Sequence, residues 1–190
     1  MLTERAPRNA AGREEFRKSD LLTSLPLPPD DRLSAPAKSI ALALAEGVTA
    51  SVLPPCAAFL SVAADFYGVQ GPGICVLAVR PLRVREGGWA SELFGDYSPE
   101  TFLIRVWMRT AVRKQVTSFG TFLSTLCHEL CHHLDYHRFK FKDSWHTRGF
   151  YERTAALYHH ARGTPAKRLF WVQMRGGRWR IDWQKTQRSA

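Results

Sequence analysis

A chain of 190 residues with 45% hydrophobic and 23% charged residues has the composition of one ordinary folded domain, which excludes a disordered or fibrous chain. The formal charge of +10 is unevenly spread: residues 163–190 hold seven Lys or Arg against Asp182 alone, a field that attracts polyanions such as nucleic acid. Four cysteines, at 56, 75, 127 and 131, form no C-x-x-C pair, which excludes a zinc ribbon and a thioredoxin-type motif; buried thiols in a reducing compartment are expected.

Residues 1–33 mix charges of both signs with Pro26, Pro28 and Pro29 and lack apolar periodicity, so they read as a disordered leader. The leader has no secretory apolar core, and Glu4, Glu14 and Glu15 argue against a transit peptide; a cytoplasmic location is expected. A first helix should start at Ser34-Ala35-Pro36 and end near Gly47, and a second should run from about Pro55 to Tyr67. The uncharged stretch from Gly47 to Ala64 is broken by Pro54-Pro55, which makes it a poor membrane span, and no membrane contact is expected.

The period then changes. Ile74 to Val79 is a continuous apolar run after Gly71-Pro72-Gly73, as in a strand buried on both faces, and Ser91 to Tyr97 reads as another strand. From Thr101 to Arg109 the alternation is clean, with Phe102, Ile104, Val106 and Met108 on one face and Arg105, Trp107 and Arg109 on the other. Helical spacing returns from Ser118 to about Tyr136, where Leu123, Leu126, Leu130 and Leu134 form one stripe and Thr121, Thr125, His128 and His132 lie roughly opposite. Another helix should span about Thr147 to Ala161, followed by a hairpin over Leu169 to Gln184 turning at Gly176-Gly177.

His128-Glu129-Leu130-Cys131-His132 matches H-E-x-x-H. Residues four apart on a helix lie one above the other, so both imidazoles can reach one Zn²⁺, and the glutamate beside the first can take a proton from water. An open catalytic site needs a third protein ligand. Asp135 and Arg138 stand where the metzincin pattern has Gly and His, which excludes that class. His146, fourteen residues beyond His132, and Glu152, twenty beyond, remain as alternatives.

Cys127-His128-Glu129-Leu130-Cys131-His132, followed by His146 with Phe150 four residues on, resembles the SprT-like family, to which Spartan-type DNA-protein crosslink proteases belong. The resemblance covers about residues 37–162. It implies an α+β, zincin-like fold with N-terminal helices, a small mainly antiparallel sheet, the motif helix and a ligand-bearing helix after it. It also implies one Zn²⁺ per chain held by His128, His132 and His146, Glu129 as general base, and a protein or peptide substrate that is DNA-associated. The sequence departs from the family in two ways. Gly149 stands three residues after His146 instead of directly after it, and no cysteine-rich ribbon follows the domain. Glu152 in turn lacks the downstream aspartate of the thermolysin-type pattern, since Ala156 occupies that position.

The remaining polar residues have plainer readings. His133 and His137 are expected to pack or bond backbone carbonyls, and His159 and His160 to end a helix at the surface. Cys127 and Cys131 are small buried side chains, and Asp135 is either an outer acceptor for a ligand N–H or an exposed carboxylate. Tyr151, Arg153 and Tyr158 are oxyanion candidates, and strand 101–109 is the candidate edge for pairing with substrate. The domain division is then a leader at 1–33, a metalloprotease-like unit at 34–162 and a basic aromatic hairpin at 163–190. That last segment can stack on unpaired bases while its cations neutralise phosphates, which would make the location nucleoid-associated. The competing assignment is a non-catalytic, zinc-containing nucleic-acid-binding module, whose metal would be closed by four protein ligands.

Overall fold

The computed structural model describes residues 1–29, 31–84 and 90–188. It is α+β, with helices α1 (Ala10–Leu21), α2 (Ser34–Glu46) and α3 (Thr49–Tyr67) preceding strands β1 (Gly73–Val79), β2 (Leu82–Val84), β3 (Ala90–Glu92), β4 (Gly95–Ser98) and β5 (Leu103–Arg109). Helices α4 (Phe119–His137) and α5 (Arg148–Arg162), the hairpin β6 (Trp171–Met174) and β7 (Arg178–Ile181), and the short α6 (Trp183–Arg188) follow.

Helix α4 is the centre of the fold. Ser118 caps its start by accepting from the Thr121 N–H, and the stripe Leu123, Leu126, Leu130 and Leu134 is completely buried. Each such leucine stabilises the fold by roughly 1.5–3 kcal/mol through the water it sheds. Phe59 and Leu60 of α3, Ile40 of α2 and Ile104, Val106 and Met108 of β5 join the same core. The stripe fixes the rotation of α4, and the opposite row of Thr121, Thr125, His128 and His132 therefore faces open space.

The main sheet has the order β1-β5-β4, with β1 parallel and β4 antiparallel to β5. It is mixed, where a mainly antiparallel sheet was expected, because β1 and β5 are joined by a crossover that contains the β2-β3 pair. β1 is an edge strand with only Val76 buried, so its apolar run does not mark burial on both faces. β5 is the central strand, and the free edge beside α4 belongs to β4. Trp107, placed by alternation on the outer face of β5, is itself buried, whereas Arg105 is exposed and pairs with Asp96 of β4.

Helix α3 starts at Thr49, before the expected Pro55, and carries both Pro54 and Pro55 inside it. It is long and apolar enough to cross a membrane by length and composition; in this fold Val52, Cys56, Phe59 and Ala63 of it are completely buried against the core.

The leader expected over residues 1–33 departs most from expectation, since residues 10–21 form a helix and residues 1–4 lie against β7. Asn9 caps α1 by accepting from Gly12 N–H. The far end of α1 docks on the start of α5, where Asp20 pairs with Arg148 and Ser19 Oγ lies 3.0 Å from Thr147 Oγ1. Arg153, fully buried, donates to the carbonyls of Ser19 and Leu22. Gly149 makes this approach possible, because a Cβ there would lie 2.1 Å from the Ser19 carbonyl oxygen. Residues 1–4 run along β7, with Leu2 bridging Arg180 and Thr3 N–H donating to Trp179 O at 2.8 Å. The segment lacks periodicity because it is held by backbone, capping and ion-pair contacts and contributes almost no apolar stripe.

The C-terminal hairpin forms around residues 175–177, where Gly176 and Gly177 both take positive φ. It ends at Ile181, short of the expected Gln184, because Asp182 opens α6 by accepting from the Lys185 N–H. Trp183 is therefore helical and 43% exposed, while Leu169 and Ile181 join the core.

Candidate metal centre

His128 and His132 leave the same face of α4, and His146 comes from the turn preceding α5, whose start is fixed by Thr147 accepting from Phe150 N–H. The three Nε2 atoms lie 3.0, 3.2 and 3.1 Å apart pairwise. They lie close enough together to bind one metal ion. Three nitrogens each about 2.0–2.1 Å from a tetrahedral Zn²⁺ would be roughly 3.3 Å apart, so the spacing fits that donor set.

Hydrogen bonds decide which ring nitrogens carry protons. Ser144 Oγ donates to Asp135 Oδ2 at 2.8 Å, so it must accept from His132 Nδ1–H at 2.7 Å, which leaves His132 Nε2 with a free lone pair. His146 Nδ1–H donates to Glu4 Oε1 at 2.6 Å, which turns its Nε2 toward the other two rings. The two Nε2 atoms meet at 3.1 Å, so a proton or a metal ion must lie between them. Burial, followed by the neighbouring His146, lowers His128 to about 3, and burial with both neighbouring rings holds His132 well below the usual histidine range. Neutral imidazole is the ligating form.

Glu129 follows His128 and is buried beside Gly95 and Thr125. Burial, and secondarily the charge of Asp96, pushes its carboxyl up to about 8. A Cβ at residue 95 would lie 2.6 Å from Thr125 Cγ2 and 2.9 Å from Glu129 Oε1, so β4 reaches this close to α4 only because glycine stands there.

An outer set of groups braces these residues. Asp135 is completely buried, and besides Ser144 it accepts from Arg153 Nη2 at 2.7 Å. It therefore supports His132 through a hydroxyl, and the exposed-carboxylate reading is incorrect. Burial raises the Asp135 pKa, and the Arg153 charge opposes that shift. Tyr97 of β4 is held by His133 Nδ1 at 2.9 Å and His137 Nε2 at 3.2 Å, while His133 Nε2–H donates to Gln70 O. Those two histidines pin the strand edge to α4 and stand outside the cluster. His159 and His160 also lie apart from it, half-buried, with His159 bonded to Thr164. Cys127 and Cys131 are buried thiols whose pKa values burial raises, to about 12 for Cys131.

Of the two candidates for a third ligand, His146 joins the cluster and Glu152 does not; Glu152 instead accepts from Trp171 Nε1 at 2.9 Å. Arg153 is sequestered by Asp135, and Tyr158 accepts from Arg162. Tyr151 stands closest to the cluster, its ring centroid 5.8 Å from that of His146, with its hydroxyl donating at 3.3 Å to Leu2 O. Glu4, Ser144 and Tyr97 had no signal in the sequence, because each acts across a separation that no local pattern encodes.

Two cavities meet at His128 and Glu129. One, of about 430 Å³, follows β4 past Asp96 and Tyr97 to Tyr136. The other, of about 810 Å³, runs between α4 and α5 beneath the C-terminal segment. Compared with known proteins, the chain matches no family model, no curated protein and no solved structure.

Proposed function

We propose that the protein is a zinc-dependent endopeptidase of the SprT-like, zincin type. The observation that carries this reading is the convergence of three imidazole Nε2 atoms within 3.2 Å of one another, beside a buried glutamate, where two cavities join. His128, His132 and His146 would hold the ion, which when bound supplies Lewis acidity toward a carbonyl and acidifies a water molecule.

The chain's own residues perform the remaining work. Glu129 accepts a proton as water oxygen attacks the scissile carbonyl carbon, and returns that proton to the amine nitrogen as the C–N bond breaks. Burial raises its pKa in the metal-free chain, and the charge of a bound cation would lower it toward the ionised form that accepts a proton. Tyr151 is the oxyanion partner of choice: among the described residues its hydroxyl has one long bond, to Leu2 O, and the residue lines the larger cavity. An extended substrate backbone adds to the free edge of β4, which replaces strand 101–109 in that role.

DNA-associated proteins are the proposed substrates. The exposed indole of Trp183 and the exposed Arg175, Arg180, Lys185 and Arg188 provide a stacking group and phosphate contacts on one segment.

The test is zinc content and casein hydrolysis by purified protein. About one zinc per chain, activity blocked by phenanthroline, and loss of cleavage with zinc retained in Glu129→Gln are expected. Undiminished cleavage by Glu129→Gln would remove the peptidase reading, and a fourth protein ligand found by X-ray absorption would favour a closed structural site.

A further inference from the structure

The larger cavity has a direction. Its floor is the first part of α4, where Gly120, Thr121, Ser124 and Thr125 present only small side chains before His128 and Glu129. One wall is a face of α5, with Tyr151, Ala155, Tyr158 and Arg162 at helical spacing. The helices are antiparallel here: Tyr151 lies beside His128, while Arg162 closes over Gly120, where an added Cβ would come within 3.3 Å of its Nη1. The cavity is therefore a channel that begins at the histidine cluster and ends at Arg162.

Its two ends differ in chemistry. Leu169 and Ile181 add an apolar lining. At the far end Arg162 and Lys167 join the N-terminus of α4, and among the described residues no carboxylate pairs with either cation. Lys167 and Arg162 also contribute, after burial, to lowering the pKa of His159 beside them. Glu92 also lines this end, where Arg80 bonds both its carboxylate and Thr117 just before α4, so its charge is taken up by Arg80 and the Ala111 N–H.

We infer that this channel selects peptides carrying a carboxylate side chain three or four residues from the scissile bond, with apolar residues between. The spacing follows from the helix: Gly120 and His128 are eight residues apart, about 12 Å along an α-helix, and an extended peptide covers roughly 3.3–3.6 Å per residue. Charge complementarity designates an acidic peptide, and an apolar passage walled by helices disfavours a phosphate backbone. The inference rests on the peptidase reading and deepens it.

The test uses zinc-loaded Glu129→Gln protein and dye-labelled octapeptides Glu-Glu-Ala-Leu-Phe-Ala-Glu-Glu, with Gln or Lys replacing all four Glu in two companions. Fluorescence anisotropy should give about tenfold tighter binding for the Glu peptide than for the Gln peptide, with the Lys peptide weakest. Adding Arg162→Gln and Lys167→Gln should abolish the preference, Arg162→Lys should keep it, and Ala155→Phe should weaken all three peptides by filling the channel. Equal binding of the three, no binding of any, a preference that survives the double change, or displacement of the Glu peptide by oligothymidylate would overturn the inference. Cleavage by the wild-type protein separates the two readings. Cutting without a Glu preference keeps the peptidase and discards the channel's selectivity, whereas preference without cutting does the reverse.

Discussion

Glu4 and His146 stand 142 positions apart and are joined twice: His146 Nδ1–H donates to Glu4 Oε1 at 2.6 Å, and Glu4 N–H donates to His146 O at 3.0 Å. The pair sets both the tautomer and the position of the ring that completes the cluster. Glu4→Gln should weaken zinc binding by about 10–100-fold with little change in thermal stability, as expected when a partner of a metal-bound histidine is altered. Chelator competition beside a melting curve checks this; unchanged affinity would make the contact incidental.

The Ser144–Asp135–Arg153 chain gives a second test at the other end of the cluster. Ser144→Ala removes the acceptor of His132 Nδ1–H and should lower zinc affinity to a similar degree. Asp135→Ala leaves Arg153 buried without its counter-ion and should cost about 3–5 kcal/mol of folding stability, measured by denaturant unfolding.

Glu129 predicts a pH dependence. Its folded pKa of about 8 lies above the ordinary 4.5, so in chelator-treated protein its contribution to stability is full below 4.5 and is lost as pH rises through 8. Histidine 128 has the opposite sign: lowered to about 3, it contributes fully above 6.5, and that contribution is lost as pH falls. Chelator-treated Glu129→Gln should therefore exceed wild type in stability by more at pH 9 than at pH 5. Parallel urea curves for the two proteins across that range would contradict the assignment.

Gly149→Ala should detach α1, because the new methyl would collide with three carbonyl oxygens at its end. Faster proteolysis within residues 10–21 and a destabilisation of about 1–3 kcal/mol are expected. Wild-type resistance to protease would show that the helices separate without cost.

The basic segment is best tested by charge, since Leu169 and Ile181 belong to the core and deletion would open it. Arg175→Gln, Arg180→Gln, Lys185→Gln and Arg188→Gln together should weaken single-stranded DNA binding and flatten its salt dependence. An unchanged salt slope would discard nucleic acid as a partner of this surface.

Local patterns account for what could be read in the sequence. Leu123, Leu126, Leu130 and Leu134 gave the extent and rotation of α4, and with them the outward face of His128 and His132. The alternation of Ile104, Val106 and Met108 gave β5 for the same reason, since periodicity reports burial on one side, whereas Phe102, expected in the strand, lies in the turn before it with positive φ. It does not report neighbours. The apolar run at Ile74–Val79 lies at a sheet edge, β5 proved central, and Pro54-Pro55 obscured the first turns of α3. The leader was misread because its contacts, such as Asp20 with Arg148 and Thr3 with Trp179, join segments more than a hundred residues apart.

Those distant contacts set an order of events during synthesis. Residues 1–4 are made long before their partners in β7, so the segment that carries Glu4 cannot dock until the hairpin has emerged. A nascent protein can build α4 and still lack the brace on His146. The outer support of His146 is thereby tied to synthesis of a hairpin far downstream of the helix it serves.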